Sequence, residues 1–227
     1  MRYYPIFLRV EGRPCLVIGG GEVAERKIAS LLAAGARVTV VSPALTPTLA
    51  AQVDAGRLSH HARRYRPGDL KGFLVAYAAT NDEGVHAEIA RDAAEAGVLL
   101  NVVDRPQQCD FVVPSVLVRG DLTVAVSTGG GSPALARKVR QEIEEIIGPE
   151  YEQALAVLSR LRARLRAAGL SPAERRRIFH RLLESDLVDG IRQRDVTAVE
   201  RTLARHVGDG LSLSALGVDL GWNRHQR

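Results

Sequence analysis

A glycine-rich segment near the start of the chain, VIGGGEVA at residues 17–24, fits the pattern G-x-G-x-x-A. The apolar residues before it are typical of a short buried strand, and residues 23–34 are predicted to form a helix. In this setting Gly19 permits a tight turn, Gly21 lets a pyrophosphate group approach the backbone, and Ala24 lets helix and strand pack closely. We therefore expect a dinucleotide at the start of the helix, where backbone N–H groups are free to bind it. A glycine-rich turn without a ligand is the alternative.

Strands and helices alternate through the first half of the chain. Strands are predicted at residues 14–19, 37–41, 58–65, 73–77 and 98–102, and helices at residues 23–34, 47–55 and 82–96. A strand, a helix and a strand within about 30 residues form a unit whose strands run parallel. Residues 1–113 are therefore expected to form a Rossmann-like, doubly wound parallel sheet of the α/β class.

The pattern changes after Pro114. Residues 115–119 and 122–127 read as two strands joined at Gly120-Asp121, which favours an antiparallel hairpin, and a helix is predicted at residues 133–147. Beyond it only helices are expected, one of them starting at a capping box in residues 171–174. The sequence thus predicts a small β-hairpin and helix region over residues 114–148 and a helical C-terminal domain over residues 149–227.

Composition narrows the class of protein. The chain is 46% hydrophobic and 25% charged, as in soluble globular proteins, and only 4% aromatic, which disfavours a base-stacking surface for nucleic acid. Its apolar start is too short for a signal peptide, and no apolar run is long enough to span a membrane, so we expect a cytoplasmic protein with no membrane partner. Cys15 and Cys109 read as buried thiols, and the neighbouring His60 and His61 should point to opposite faces of a strand; no metal site is expected.

The net charge of +5 arises entirely in the last third of the chain. Residues 151–227 hold 14 arginines and no lysine against 9 acidic residues, whereas residues 1–150 are neutral. Arginine binds carboxylate and phosphate groups well, although a solvated helix surface explains the same excess. A nucleic-acid binder is disfavoured because the first 150 residues are neutral and aromatic residues are few.

Four motifs in a fixed order resemble a known family. They are GGGEVAERK at residues 19–27, AATND at residues 78–82, NVVD at residues 101–104 followed by CDFVVP at residues 109–114, and STGGGSPALAR at residues 127–137. The family is precorrin-2 dehydrogenase/sirohydrochlorin ferrochelatase, the N-terminal half of siroheme synthase. The resemblance covers residues 5–140, and the helical tail is similar only in general character.

The resemblance implies a function and a set of site residues. It implies NAD-dependent oxidation of precorrin-2 to sirohydrochlorin in siroheme biosynthesis, a possible second activity inserting Fe²⁺ as co-substrate, and a homodimer formed through residues 114–148. It implies that Asp104 is the catalytic acid/base residue. With the glycine motif and the strand ends, the expected cofactor residues are Gly19, Gly21, Glu22, Val23, Ser42, Pro43, Ala44 and Thr80. A dehydrogenase with a separate chelatase and a non-catalytic NAD-sensing module are the alternatives.

The residues themselves partly support this assignment. Asp104 follows the fifth predicted strand, at the sheet edge where such folds bind ligands, and a carboxylate there can act as a general base. A turn-capping role before Pro106 explains the same aspartate. Ser42 stands near the position where an acidic residue often binds the ribose, so the residues alone leave NAD and NADP open.

A second glycine-rich loop precedes the helix predicted at residues 133–147. Its N–H groups and hydroxyls are suited to a substrate carboxylate, which gives a predicted substrate set. The members of that set are Ser127, Thr128, Gly129, Gly130 and Ser132. A plain strand-to-helix turn is the alternative.

Overall fold

The computed structural model describes residues 3–80, 82–208 and 210–222. The chain forms two compact units. The first runs to Val113 and includes Gly129–Gly131; the second comprises Pro114–Thr128 and the chain from Ser132 onward.

The first unit is built on a five-stranded parallel sheet with the order β3-β2-β1-β4-β5. Its strands are β1 (Pro14–Ile18), β2 (Arg37–Val41), β3 (Ser59–His61), β4 (Val75–Ala78) and β5 (Leu99–Val102). Its α-helices are α1 (Glu22–Ala33), α2 (Pro47–Asp54) and α3 (Glu83–Ala96), and a 3₁₀ turn covers Pro106–Gln108. The chain crosses from one side of β1 to the other between β3 and β4, which creates the switch point of a doubly wound sheet. The Rossmann-like prediction is confirmed.

Each face of the sheet has its own core. Cys15 and Val17 face the side that α1 and α2 cover, whereas Leu16 and Ile18 face the side that α3 covers. These faces alternate because successive side chains of a strand point in opposite directions. A parallel sheet covered on both faces accounts for the near-continuous apolar run in β1.

Strand β3 is shorter than predicted. The pattern predicted a strand over residues 58–65, but β3 ends at His61. Beyond it the Arg63 guanidinium donates to both carboxylate oxygens of Asp69, at 2.7 and 2.8 Å, and the Arg66 amide donates to the same carboxylate at 2.9 Å. These bonds hold the chain after His61 in a turn instead of a longer strand.

The second unit combines a hairpin with helices, as predicted. Strands β6 (Ser115–Arg119) and β7 (Leu122–Val126) pair antiparallel, and the helices are α4 (Pro133–Ile146), α5 (Glu150–Ala167), α6 (Pro172–Leu183), α7 (Leu187–Arg192) and α8 (Val196–Val207). The predicted capping box is present, with reciprocal bonds between Ser171 and Glu174. The helical core is built on Val157, Leu161, Leu182, Leu187 and Leu203, each fully buried.

Part of the hairpin surface is apolar and exposed. On β6, Leu117 is buried, but Val116 and Val118 are 42% and 55% exposed. Leu135 and Ile146 of α4 are exposed as well. In the described ranges, no helix is long and apolar enough to cross a bilayer.

Candidate functional site

The turn between β1 and α1 is tightly packed at its first two glycines. Gly19 has a φ of +121°, and a Cβ there would lie 2.3 Å from the Ala79 carbonyl oxygen. A Cβ on Gly20 would lie 2.1 Å from the Ala44 carbonyl oxygen. Both glycines are therefore required by the fold itself, because no other residue fits between the ends of β1, β2 and β4.

Gly21 differs from its two neighbours. Its φ is −86°, which any residue adopts, and a Cβ built there would have no described atom outside its chain neighbours within 4 Å. Gly21 is also the N-cap of α1 and offers no side chain to the amides of the first turn. Neither strain nor protein packing explains this glycine. A pyrophosphate lying against the backbone at a helix N-terminus does explain it.

The loop after β2 forms one wall beside this turn. The Thr46 amide donates to the Gly20 carbonyl at 2.9 Å, and the Thr46 hydroxyl donates to the Glu25 carboxylate at 2.6 Å. These bonds fix the exposed Pro43 and Ala44 next to the glycines. A cavity of about 530 Å³ adjoins this wall, and it is lined by Glu22, Glu25, Arg26, Thr46, Pro47 and Thr48.

Ser42 is buried, unlike the neighbouring Pro43 and Ala44. Its hydroxyl donates to the Ala44 carbonyl at 2.7 Å, while its own carbonyl accepts from His60 Nε2 at 2.9 Å. The Ser42 hydroxyl proton is thus already used within the protein. Its oxygen lone pairs remain as the group that a ribose hydroxyl would meet.

Thr80 lies in the loop that follows β4. Its hydroxyl accepts from the Asp82 amide at 3.2 Å, and its carbonyl accepts from His86 Nε2 at 2.9 Å. His86 is buried on α3, so the helix anchors the loop. Thr80 is held at the carboxyl edge of the sheet, on the same edge as the glycine turn.

Asp104 follows β5 on that same edge. It is exposed and has a φ of 60°, in the left-handed region that only aspartate, asparagine and glycine adopt readily. The Val103 amide before it donates to the Ala78 carbonyl at 3.0 Å. Asp104 is therefore presented at the end of the β4–β5 pair, where ligands bind in open parallel sheets.

The Cys109 sulfur holds the loop that carries Asp104. It accepts from the Val102 amide at 3.2 Å and lies 3.2 and 3.3 Å from the carbonyl oxygens of Val102 and Arg105. These groups flank Asp104 on both sides. Cys15 is buried as expected, whereas Cys109 is only half-buried; burial raises the pKa of both thiols. A thiol of raised pKa is a structural group rather than a nucleophile.

The expected substrate loop closes on itself. The Thr128 hydroxyl accepts from the Ser132 amide at 3.1 Å and donates to the Ser132 carbonyl at 3.0 Å. The Ser132 hydroxyl caps α4 by accepting from the Leu135 amide at 3.2 Å. A Cβ on Gly129 or Gly130 would meet no described atom within 4 Å, and both have positive φ. Ser127, Thr128 and Ser132 belong to the second unit, and Gly129 and Gly130 to the first.

The chain matches two families of known proteins. Residues 6–115 match the family described as "Putative NAD(P)-binding", and residues 119–146 match "Sirohaem biosynthesis protein central". Siroheme synthase 1 of Aeromonas salmonicida is 44% identical over 186 residues, which are 82% of this chain and 40% of that protein. The siroheme synthase of Methylobacillus flagellatus is 41% identical over 206 residues, 91% of this chain and 43% of that protein.

A solved structure agrees with these relatives. The structure of "SirC, precorrin-2 dehydrogenase" matches with a TM-score of 0.73 and 26% identity, over 89% of this chain and 98% of that one. The chain is therefore similar to siroheme synthases and to a precorrin-2 dehydrogenase over most of its length, as its motifs predicted. It spans less than half the length of the siroheme synthases that it matches. The predicted resemblance is confirmed.

Proposed function

We propose that this protein oxidises precorrin-2 to sirohydrochlorin with NAD⁺ as the acceptor. The observation that carries the proposal is that Asp104 and the open backbone at Gly21 lie at the same edge of the sheet, where its strands end. A dinucleotide site and an exposed carboxylate at one edge are the two parts that a hydride-transfer reaction with proton release needs. The matches to siroheme synthases and to a precorrin-2 dehydrogenase support the choice of substrate.

The residues around the glycine turn are suited to hold the cofactor. The backbone at Gly21 and the first turn of α1 would take the pyrophosphate, since the helix end carries partial positive charge and Gly21 leaves the space open. Pro43 and Ala44 would line one side, and Thr80 the end nearer to Asp104. When bound, NAD⁺ supplies the two-electron acceptor for the oxidation.

Asp104 would accept the proton that the reaction releases. Conversion of precorrin-2 to sirohydrochlorin removes one hydride and one proton, and Asp104 would take the proton while the substrate loses the hydride to the cofactor. The loop bonds at Cys109 hold the backbone on both sides of Asp104, which keeps the carboxylate at one place on the sheet edge.

The substrate carries several carboxylates, so its binding site requires hydrogen-bond donors and positive charge. The loop that contains Ser127, Thr128, Gly129, Gly130 and Ser132 would bind one of its carboxylates through backbone amides at the start of α4. Because the Thr128 and Ser132 hydroxyls already bond within the loop, its amides are the better candidates for that contact. The arginine excess of residues 151–227 would attract the substrate by long-range charge.

The same carboxylate suits a second step. Insertion of Fe²⁺ into sirohydrochlorin releases two pyrrole protons, and Asp104 would accept them one after the other, passing the first to solvent before it takes the second. Fe²⁺ would enter as substrate.

We further propose that the protein is a homodimer in the cytoplasm. The exposed Val116 and Val118 of β6, with Leu135 and Ile146 of α4, would be covered by a second copy in a homodimer, since exposed apolar side chains mark interaction surfaces. Two free thiols, Cys15 and Cys109, suit the reducing cytoplasm.

The experiment is an anaerobic incubation of the purified protein with precorrin-2 and NAD⁺. We expect NADH and sirohydrochlorin to appear in equal amounts. A second incubation with sirohydrochlorin and Fe²⁺ decides whether siroheme forms, and its failure would leave a dehydrogenase that depends on a separate chelatase. NAD⁺ binding without turnover in the first incubation would instead identify an NAD-sensing module.

A further inference from the structure

Lys27 is a cation whose pKa responds to the charge of Asp104, and the proposed reaction does not use it. Lys27 lies on α1, one helical turn after Val23 and Ala24, and so on the helix face directed at the sheet. It is half-buried, with its ammonium nitrogen 5.8 Å from the centre of the Tyr77 ring. Among the described residues no carboxylate forms an ion pair with it.

Tyr77 places Lys27 close to the carboxyl edge of the sheet, where Asp104 lies. Tyr77 lies on β4 and pairs in register with Asn101 of β5, three residues before Asp104. Its ring packs edge-on against Phe111, with centres 5.5 Å apart, and Asn101 Nδ2 donates to the Phe111 carbonyl at 2.9 Å. Burial raises the pKa of Tyr77 to about 12, so its phenol stays neutral and forms a wall rather than a base.

The charge of Asp104 acts on the Lys27 ammonium through space. Burial lowers the pKa of Lys27, as does the charge of Arg26, while the charge of Asp104 raises it. A half-buried ammonium without an ion-pair partner loses hydration that the contact with the Tyr77 ring replaces only in part. Groups of perturbed pKa cluster at functional sites, and an ammonium without an ion-pair partner is suited to an anionic ligand.

We propose that Lys27 is a substrate-binding residue, whose ammonium takes a carboxylate of the tetrapyrrole beside Asp104. This inference rests on the proposed function. The Tyr77 ring lies beside the ammonium, and the charge of Asp104 reaches it, so a substrate carboxylate bound by Lys27 would lie near Asp104. A carboxylate bound there would place the adjoining ring carbon within the reach of Asp104.

The test compares Lys27→Met, which keeps the length and apolar stem, with Lys27→Arg, which keeps the charge. Lys71→Met is the matched control, because Lys71 is an exposed lysine of the same unit. Sirohydrochlorin binding is measured by absorbance titration over a range of salt concentrations, and NAD⁺ binding by calorimetry. Steady-state rates with precorrin-2 are measured in parallel.

We expect Lys27→Met to weaken sirohydrochlorin binding about tenfold, as for one lost charge-assisted contact. Its binding should also depend less on salt, KM for precorrin-2 should rise with little change in kcat, and NAD⁺ affinity should be unchanged. Lys27→Arg should restore most of the binding, and Lys71→Met should behave as the wild type.

Three results would overturn the inference: wild-type sirohydrochlorin binding by Lys27→Met, an equal loss of NAD⁺ affinity, or a fall in kcat with binding intact. The binding titration needs no turnover. A wild-type protein that binds sirohydrochlorin but does not oxidise precorrin-2 would therefore contradict the proposed function alone, whereas full turnover by Lys27→Met with normal KM would contradict the role of Lys27 alone.

Discussion

At the scale of single residues, three consecutive glycines serve different purposes. Gly19 and Gly20 are fixed by the carbonyl oxygens of Ala79, just after β4, and of Ala44, in the loop after β2, whereas Gly21 faces open space. A sequence pattern does not distinguish the three glycines. Their surroundings show that Gly19 and Gly20 are required by the fold, whereas Gly21 leaves room for a ligand.

This difference predicts opposite behaviour of two variants. Gly21→Ser should raise the free energy of unfolding by a few tenths of a kcal/mol, since serine is a good N-cap, and should weaken NAD⁺ binding at least about tenfold by filling the open space. Gly20→Ala should lower the free energy of unfolding by about 1–3 kcal/mol through overpacking. Urea denaturation and calorimetric titration measure both. A Gly21→Ser protein that binds NAD⁺ normally would contradict the pyrophosphate site.

The cysteines allow a prediction about pH. Because burial raises the pKa of Cys15 and Cys109, both are largely protonated thiols at neutral pH. Modification by a thiol reagent should be slow at pH 7 and should accelerate about tenfold per pH unit until the raised pKa is reached. Unfolding the protein before the reagent is added should remove the protection of both thiols. Rapid modification of the folded protein at pH 7 would show that these thiols are not held as described.

At the scale of elements, the sequence predicted the inner strands of the sheet and β5 well, but it predicted the edge strand β3 poorly. The strands β1, β2, β4 and β5 follow from apolar runs that tertiary contacts do not alter. The end of β3 does not, because Arg63 meets Asp69 only once the chain has turned, and no local pattern encodes that pair. The Cys109 bonds likewise form only once the Asp104 loop has folded, and the position of Lys27 over Tyr77 is a tertiary contact. The sequence could name Asp104, but not the groups that position it.

The Arg63–Asp69 turn predicts a change in acid stability. The bond from Arg63 lowers the pKa of Asp69, so the bond stabilises the fold above the ordinary carboxyl pKa and is lost as pH falls through the lowered value. Asp69→Asn should cost about 1–3 kcal/mol at pH 7 and flatten the acid side of the stability curve. Asp54→Asn, at the exposed end of α2, is the control and should cost little. Equal acid sensitivity in wild type and Asp69→Asn would contradict the assignment.

At the scale of the whole molecule, the exposed apolar side chains of β6 and α4 predict assembly. Val118→Glu should convert the proposed dimer to a monomer in light scattering, because a carboxylate cannot be buried there without a partner. Leu183→Glu, at an exposed leucine at the end of α6, should leave the dimer intact. A wild-type monomer at micromolar concentration, or a dimer that survives Val118→Glu, would contradict this interface.

The central claim is that Asp104 takes the proton released when precorrin-2 is oxidised, and one comparison tests it most directly. Asp104→Asn keeps a residue that tolerates the observed φ of 60° but removes the base. In anaerobic single-turnover reactions with saturating NAD⁺, we expect NADH formation by Asp104→Asn to be at least about 10²-fold slower than by the wild type, with NAD⁺ affinity and thermal stability unchanged. An Asp104→Asn protein that forms NADH at the wild-type rate would contradict the claim.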